Sequence, residues 1–302
     1  MTEQPVTFPS AGLKLSGVVH LPPGLRPSER RGAFLVLHGF GSNKTSSNTM
    51  APTKVLGELG YVVLRFDMRG CGESEGEFGR VICLEQVEDT RNALTFLAQH
   101  PAVDPARIGV IGSSFGGAVA IYTGGVDARV AAVISNGGWG DGERKFRGQH
   151  TSPQAWARFT AMLKEGREHR TRTGKSLMVP RYGIVPIPPH LRGNLASNSV
   201  ESFPAETAQS MFDFRADDVV GRIAPRPLLL LHAANDSVTP TEQSIELFKR
   251  AGQPAELHLI SDADHFMFGE DNRRVWGLLR GWLAQYFPAA VAEEKRVAAT
   301  HA

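Results

Sequence analysis

A chain of 302 residues that is 41% hydrophobic can bury a large core, and one main unit with room for an insertion is expected. Its 33 basic and 31 acidic side chains leave a net charge of +2, too balanced for nucleic acid or a membrane surface to be the main partner. The two cysteines, Cys71 and Cys83, form no CxxC pair, which argues against a disulfide scaffold or a thiolate zinc site and fits a reducing compartment.

The first residues, Met1 to Pro9, carry neither a basic region nor an apolar core, so no secretory leader is read there. The apolar runs are strand-length, well short of the roughly 20 residues a membrane helix needs. A cytoplasmic protein is the expectation. Residues 6–21 alternate as an antiparallel edge hairpin would, turning at Ala11-Gly12. Short continuous apolar runs then recur at 34–37, 61–66, 108–111, 130–134, 228–231 and 257–260. Runs of that length read as strands buried on both faces. Helical patterns fall between and after them, at 84–100, 115–122, 242–251 and 275–287, the third closed by Gly252. Strands alternating with helices predict a mostly parallel, doubly wound α/β sheet.

Residues 139–212 break that rhythm, with no clear strand and too much chain for a loop. Trp156, Phe159, Met162 and Leu163 suggest a helix, and the prolines of 186–189 a stiff connection. The segment reads as a cap inserted into a core made of 1–138 and 213–288, with 289–302 a flexible, unanchored tail. It holds eleven Lys/Arg against six Asp/Glu. That excess is either a solvated basic face or an attractor of carboxylate-bearing substrates, which inward-pointing Arg144, Arg147 or Arg181 would favour.

Gly112-Ser113-Ser114-Phe115-Gly116 fits G-x-S-x-G directly after one predicted strand and before a helix. A nucleophile elbow needs that setting: a strained turn exposes the serine oxygen, and small neighbours relieve the crowding. Ser114 is the predicted nucleophile and Ser113 is structural. The same glycines lack the spacing of a nucleotide-binding loop. A serine needs a base, and His265 lies just past the predicted strand 257–260, where open α/β sheets build their sites. His232 and His258 fall inside strand patterns and read as core or sheet residues. The base needs an orienting carboxylate. Asp236, in the turn-rich loop after 228–231, is the choice over an Asx-turn role, with Asp141 the rival. Asp213, Asp217 and Asp218 precede their strand and are expected at the wrong end of the sheet. Two backbone donors should hold the oxyanion: the N–H of Phe115, and that of Phe40 in His38-Gly39-Phe40-Gly41 after the first core strand. Cys71, on the loop after 61–66, reads as a packed thiol.

Together His38-Gly39-Phe40, Asp67-Met68-Arg69-Gly70-Cys71-Gly72-Glu73-Ser74, the Ser114 elbow, Asp236 and His265 resemble the α/β-hydrolase family over residues 33–268. The resemblance implies an eight-stranded sheet with the triad, in the order Ser114, Asp236, His265, at its C-terminal edge. The nearest types are bacterial carboxylesterases, the feruloyl and cinnamoyl esterases, and the dienelactone-hydrolase-like and peptidase-like group. A serine at 114 departs from the cysteine of dienelactone hydrolases and the aspartate of epoxide hydrolases. The expected activity is hydrolysis of a small-molecule carboxylic ester through an acyl-enzyme, with no metal or organic cofactor. Peptide, amide, thioester or carbon–carbon cleavage on the same triad, and a non-catalytic ligand-binding role, stand as alternatives. Oligomeric state stays open, a homodimer included.

Overall fold

The computed structural model describes residues 1–268 and 272–290. The chain opens with β1 (Thr2–Ser10) and β2 (Leu13–Leu21), antiparallel along their whole length. Ala11 and Gly12 turn between them at φ 48° and 81°, the left-handed backbone a two-residue hairpin needs. There follow β3 (Arg31–Leu37), α1 (Ser47–Glu58), β4 (Val62–Phe66), α2 (Cys83–Ala98), β5 (Val103–Ser113), α3 (Phe115–Val126) and β6 (Val130–Asn136). After the 139–212 region come β9 (Leu228–Ala233), α8 (Glu242–Arg250), β10 (Ala255–Ile260) and α9 (Arg273–Tyr286).

Eight strands form one sheet in the order β1-β2-β4-β3-β5-β6-β9-β10. Only the β1–β2 and β2–β4 pairings are antiparallel. The continuous apolar runs follow from burial on both faces. Leu228 and Leu230 of β9 join Leu35, Val110, Val133 and α3 in one core, while Leu229 and Leu231 join Phe34, Val36, Ile111 and α9 in the other. Alternate side chains thus serve opposite layers. Each fully buried leucine contributes about 2 kcal/mol of transfer free energy.

Outside the 139–212 region three expectations change. β5 starts at Val103 rather than at 108, because its first half is polar and its pairing with β3 shifts register between Arg31 and Ala33. α8 is not closed by a left-handed glycine: the chain leaves the helix at Ala251 in an extended conformation. Gly252 instead makes room for Ala224, whose Cβ lies 2.6 Å from where its own would be. The stretch after Pro288 is anchored at its first residue, since Ala289 O accepts the Gly32 N–H at 3.0 Å. The rest of that predicted tail, 291–302, lies outside the described residues.

Between β6 and β9 the chain forms α4 (Gly142–Gln149), α5 (Pro153–Thr173), β7 (Met178–Pro180), α6 (Arg181–Ile184), β8 (Ser202–Pro204) and α7 (Ala205–Asp213). The helix around Trp156 is α5, started by Ser152 capping Ala155 N–H and ended by Gly174 at φ 70°. Where no strand was expected, β7 and β8 form an antiparallel pair of three residues each. Such strands are too short to leave an alternating pattern. Phe146, Phe159, Phe203 and Met211 of this region join the α3 core. Among the described residues, no helix is long and apolar enough to cross a membrane.

Candidate active site

The elbow is built by collision. Ser114 sits at φ 55°, ψ −116°, its N–H held by Asn136 O at 2.7 Å, and α3 begins at the next residue. A non-glycine residue in such a region costs about 1–3 kcal/mol, stored by the surrounding structure. A Cβ on Gly112 would collide with Gly116 O, and one on Gly116 would sit 2.5 Å from Leu37 O. Both positions therefore exclude any side chain. Ser114 is partly exposed, whereas Ser113 is buried and accepts a hydrogen bond from Asn136 Nδ2 at 3.1 Å.

Asp236 lies three residues past β9. Its Oδ1 accepts the N–H groups of Val238 (2.8 Å) and Thr239 (2.7 Å), while Oδ2 is 2.8 Å from His265 Nδ1. The Asx turn and the contact with His265 are thus one arrangement. Burial alone would raise the carboxyl's pKa, but His265 and His232 outweigh it and hold the group well below the usual range. His232 places Nε2 3.3 Å from Asp236 Oδ2 and sets Nδ1 on Ser244 Oγ at 2.6 Å. His265 follows β10, its N–H donating to Asp264 Oδ1 at 2.7 Å. Asp264 also accepts Ser237 N–H (2.8 Å) and Oγ–H (2.7 Å), tying the two loops together. With Nδ1–H turned to Asp236, Nε2 presents its lone pair. Among the described residues neither His265 Nε2 nor Ser114 Oγ has a hydrogen-bond partner, and the two are not bonded to each other. Catalytic contacts commonly tighten only when substrate binds.

The loop after β3 lies over the elbow: a Cβ on Gly39 would be 4.0 Å from Ser114 Cβ. His38 shapes it, donating through Nδ1 to Gly39 O (2.9 Å) and accepting the Met68 N–H at Nε2 (3.1 Å). Burial lowers its pKa and keeps the ring neutral. Asp67 braces the same loop by accepting the N–H groups of Lys44 (2.6 Å) and Glu73 (2.9 Å) and pairing with Lys44 Nζ. From the other side, Arg181 donates to Phe40 O (2.7 Å), Gly41 O (3.1 Å) and Val200 O (2.8 Å). Its guanidinium lies over the rings of Phe40 and Phe203, which stack at 4.1 Å. Burial lowers the arginine's pKa to about 10, so it stays charged at neutral pH. Gly41, at φ 54°, has no room for a side chain against Phe203. The N–H groups of Phe40 and Phe115 have no partner among the described residues, as expected of a helix's first residue in the second case.

The remaining candidates fall elsewhere. Asp141 caps α4 through Arg144 N–H (2.8 Å) and pairs with Arg215 (3.2 Å), whereas the carboxylate on His265 Nδ1 is that of Asp236. Asp217 is not at the far end of the sheet: its N–H bonds Gly140 O, beyond the C-terminal end of β6, and its carboxylate pairs with Arg144 at 2.8 Å. The segment before β9 doubles back to that edge. Arg147 pairs with Glu143 and Arg181 is committed to carbonyls, so none of the three arginines offers a free charge to a substrate. Cys71 is buried, and burial raises its thiol's pKa, as for a packed residue. Among the described residues no group of three His, Cys, Asp or Glu side chains is placed to hold a metal ion. His232 and Asp264 are supporting residues that the sequence pattern did not assign to the site, and Arg181 supports it by bracing a loop rather than by facing a substrate.

A strained serine elbow at the edge of a mostly parallel eight-stranded sheet defines a class, and the comparisons agree. Residues 34–278 match the alpha/beta hydrolase family, and the chain belongs to it. A thiohydrolase of Aspergillus aculeatus is 30% identical over 274 residues, covering 84% of this chain and 83% of its own. An uncharacterized 31.7 kDa protein of Escherichia coli is 26% identical over 244 residues, 77% of this chain and 82% of that one. Among solved structures, a hypothetical protein of Pseudomonas aeruginosa superposes with a TM-score of 0.78 at 24% identity, over 95% of this chain and 94% of that one. Est1E of Butyrivibrio proteoclasticus, solved with ferulic acid bound, does so at 0.68 and 17% identity, over 93% and 98%. At those identities the two structures speak for the fold.

Proposed function

We propose that this hydrolase-family chain cleaves a carboxylic ester through an acyl-enzyme, with Ser114 as nucleophile, His265 as base and Asp236 as its orienting acid. Ser114 Oγ attacks the carbonyl carbon while His265 Nε2 takes its proton, and Asp236 stabilises the imidazolium that forms. The N–H groups of Phe40 and Phe115 receive the oxyanion. Each such donor supplies about 3–4 kcal/mol of transition-state stabilisation in comparable sites. His265 returns the proton to the leaving alcohol, and water, activated by the same imidazole, releases the acid. The 139–212 region acts as the cap that shapes the substrate site, and the enzyme works in the cytoplasm.

The observation that carries this reading is the 2.8 Å contact of His265 Nδ1 with Asp236 Oδ2 at the strand edge that also bears the strained Ser114. The identity to a thiohydrolase favours thioesters as a second substrate class on the same groups. Reaction with a fluorophosphonate, followed by peptide mass mapping, tests the assignment. The adduct should form on Ser114 and be lost, together with ester and thioester hydrolysis, in Ser114→Ala. Retention of either hydrolysis in that variant would sink the proposal.

A further inference from the structure

Lys145, on α4, is one buried charge that no part of this mechanism uses. It is only 2% exposed and forms no ion pair among the described residues. Its Nζ bonds Gln149 Oε1 at 3.0 Å and otherwise faces aromatic rings, 4.8 Å from the centroid of Trp139 and 4.0 Å from that of Phe146. The remaining N–H bonds of the ammonium have no acceptor among the described residues. Trp139 adds a second donor in want of a partner, because its Nε1 is buried without a hydrogen bond. Buried polar groups are normally paired, and an unpaired buried charge is costlier still.

Both donors are linked to segments that carry the proposed catalytic groups. Trp139 lies three residues beyond β6, and its ring is 5.7 Å from that of Phe115, the residue after the nucleophile. Gln149, which holds Lys145, also donates through Nε2 to Val238 O, two residues past Asp236. The lysine is thus suspended between the nucleophile's helix and the acid's loop. Burial lowers its pKa to about 7, a shift opposed by the nearby Cys83 and Asp236. In either protonation state the amine donates hydrogen bonds.

We propose that Lys145 Nζ and Trp139 Nε1 form a subsite for an acceptor oxygen on the acyl chain, selecting acyl groups with a carbonyl or enolate oxygen close to the scissile bond over plain alkanoyl groups. The 3-oxoacyl class fits this demand. The two aromatic rings accept the adjoining carbon chain, and the two N–H donors gain the partner they lack. This subsite rests on the acyl-transfer reading above, so its test is one of binding rather than turnover.

The probes are N-(3-oxooctanoyl) and N-octanoyl amides of ethanolamine, which differ by one carbonyl oxygen and resist cleavage. Calorimetry on the wild-type protein should give at least tenfold tighter binding of the 3-oxo compound. In Lys145→Met and in Trp139→Phe the ratio should fall to threefold or less, with the octanoyl affinity within about threefold of wild type. Equal affinities in the wild-type protein, no binding of either amide at millimolar concentration, or a ratio preserved in both variants would overturn the subsite. So would an equal loss for both amides in both variants, the mark of a purely structural role. Ser114→Ala serves as the separating arm. If it keeps the binding preference but not hydrolysis, subsite and nucleophile both stand. If it keeps both, the subsite stands and the nucleophile assignment fails.

Discussion

Asp236 divides its work between its two oxygens. Oδ1 is spent on the backbone of Val238 and Thr239, which fixes the carboxylate's plane, and Oδ2 is left to face His265. Asp236→Asn keeps the size and the turn, but an amide nitrogen turned toward His265 demands an acceptor at Nδ1 and moves the imidazole proton to Nε2. The base then has no lone pair for Ser114. A loss of about 10⁴ in kcat with little change in KM is expected from that tautomer change, measured with a p-nitrophenyl ester beside a circular-dichroism check of folding. A loss below tenfold would remove Asp236 from the proposed mechanism. At this scale the placement of the proposed groups was legible: Ser114, Asp236 and His265 each stand in a turn just past an apolar strand. His232 was not, because it sits inside the buried run Leu228–Ala233 and looks like any core residue. It reaches the acid only because the loop curls back to bring residue 236 over the strand's end.

Among the elements, the one that sets the loop after β3, proposed above to receive the oxyanion, is far from it in sequence. Arg181 at the start of α6 bonds Phe40 O and Gly41 O, and Val200 N–H, just before β8, bonds Gly41 O at 2.8 Å. The short β7–β8 pair holds those two partners at the right separation, since Arg181 N–H bonds Glu201 O at 2.7 Å across it. Arg181→Met removes three donors and leaves buried carbonyls unsatisfied, each worth about 1–3 kcal/mol. The Phe40 N–H should then lose its aim at the oxyanion. We expect kcat to drop by about ten- to a hundredfold with KM nearly unchanged, and fluorophosphonate labelling of Ser114 to slow in parallel. An unchanged labelling rate would mean the loop holds its shape without the arginine. None of this was legible in residues 139–212. Three-residue strands give no period, and an arginine bonded to carbonyls looks, in sequence, like one awaiting a substrate's carboxylate.

At the scale of the whole molecule, the sheet and its two cores were readable because the period of two in β9 and its neighbours feeds alternate leucines to opposite layers. Strand order and the charges trapped between layers were not, because they depend on long-range packing. Those trapped charges give the folded protein a distinctive dependence on pH. Lys145 has a pKa of about 7 in the fold against 10.5 in an unfolded chain. Between those values the unfolded chain carries a proton that the folded protein has released, so stability rises with pH. Other buried groups act outside a narrow window. His20, lowered to about 4, and His38 and His150, also lowered by burial, give their increments below the ordinary histidine value of 6.5. Burial pushes the Cys83 thiol up to about 12 and raises Cys71 as well, so both cost stability once unfolded thiols ionise near 9.0. From pH 7.5 to 8.5 the dependence should therefore be dominated by Lys145. The slope of a single group is at most about 1.4 kcal/mol per pH unit, which for a chain of this length is about 2 °C in Tm. Scanning calorimetry should find wild-type Tm higher at pH 8.5 than at 7.5 by that amount and Lys145→Met unchanged between the two. Equal shifts in both proteins would assign the proton to another group and leave Lys145 charged throughout the window.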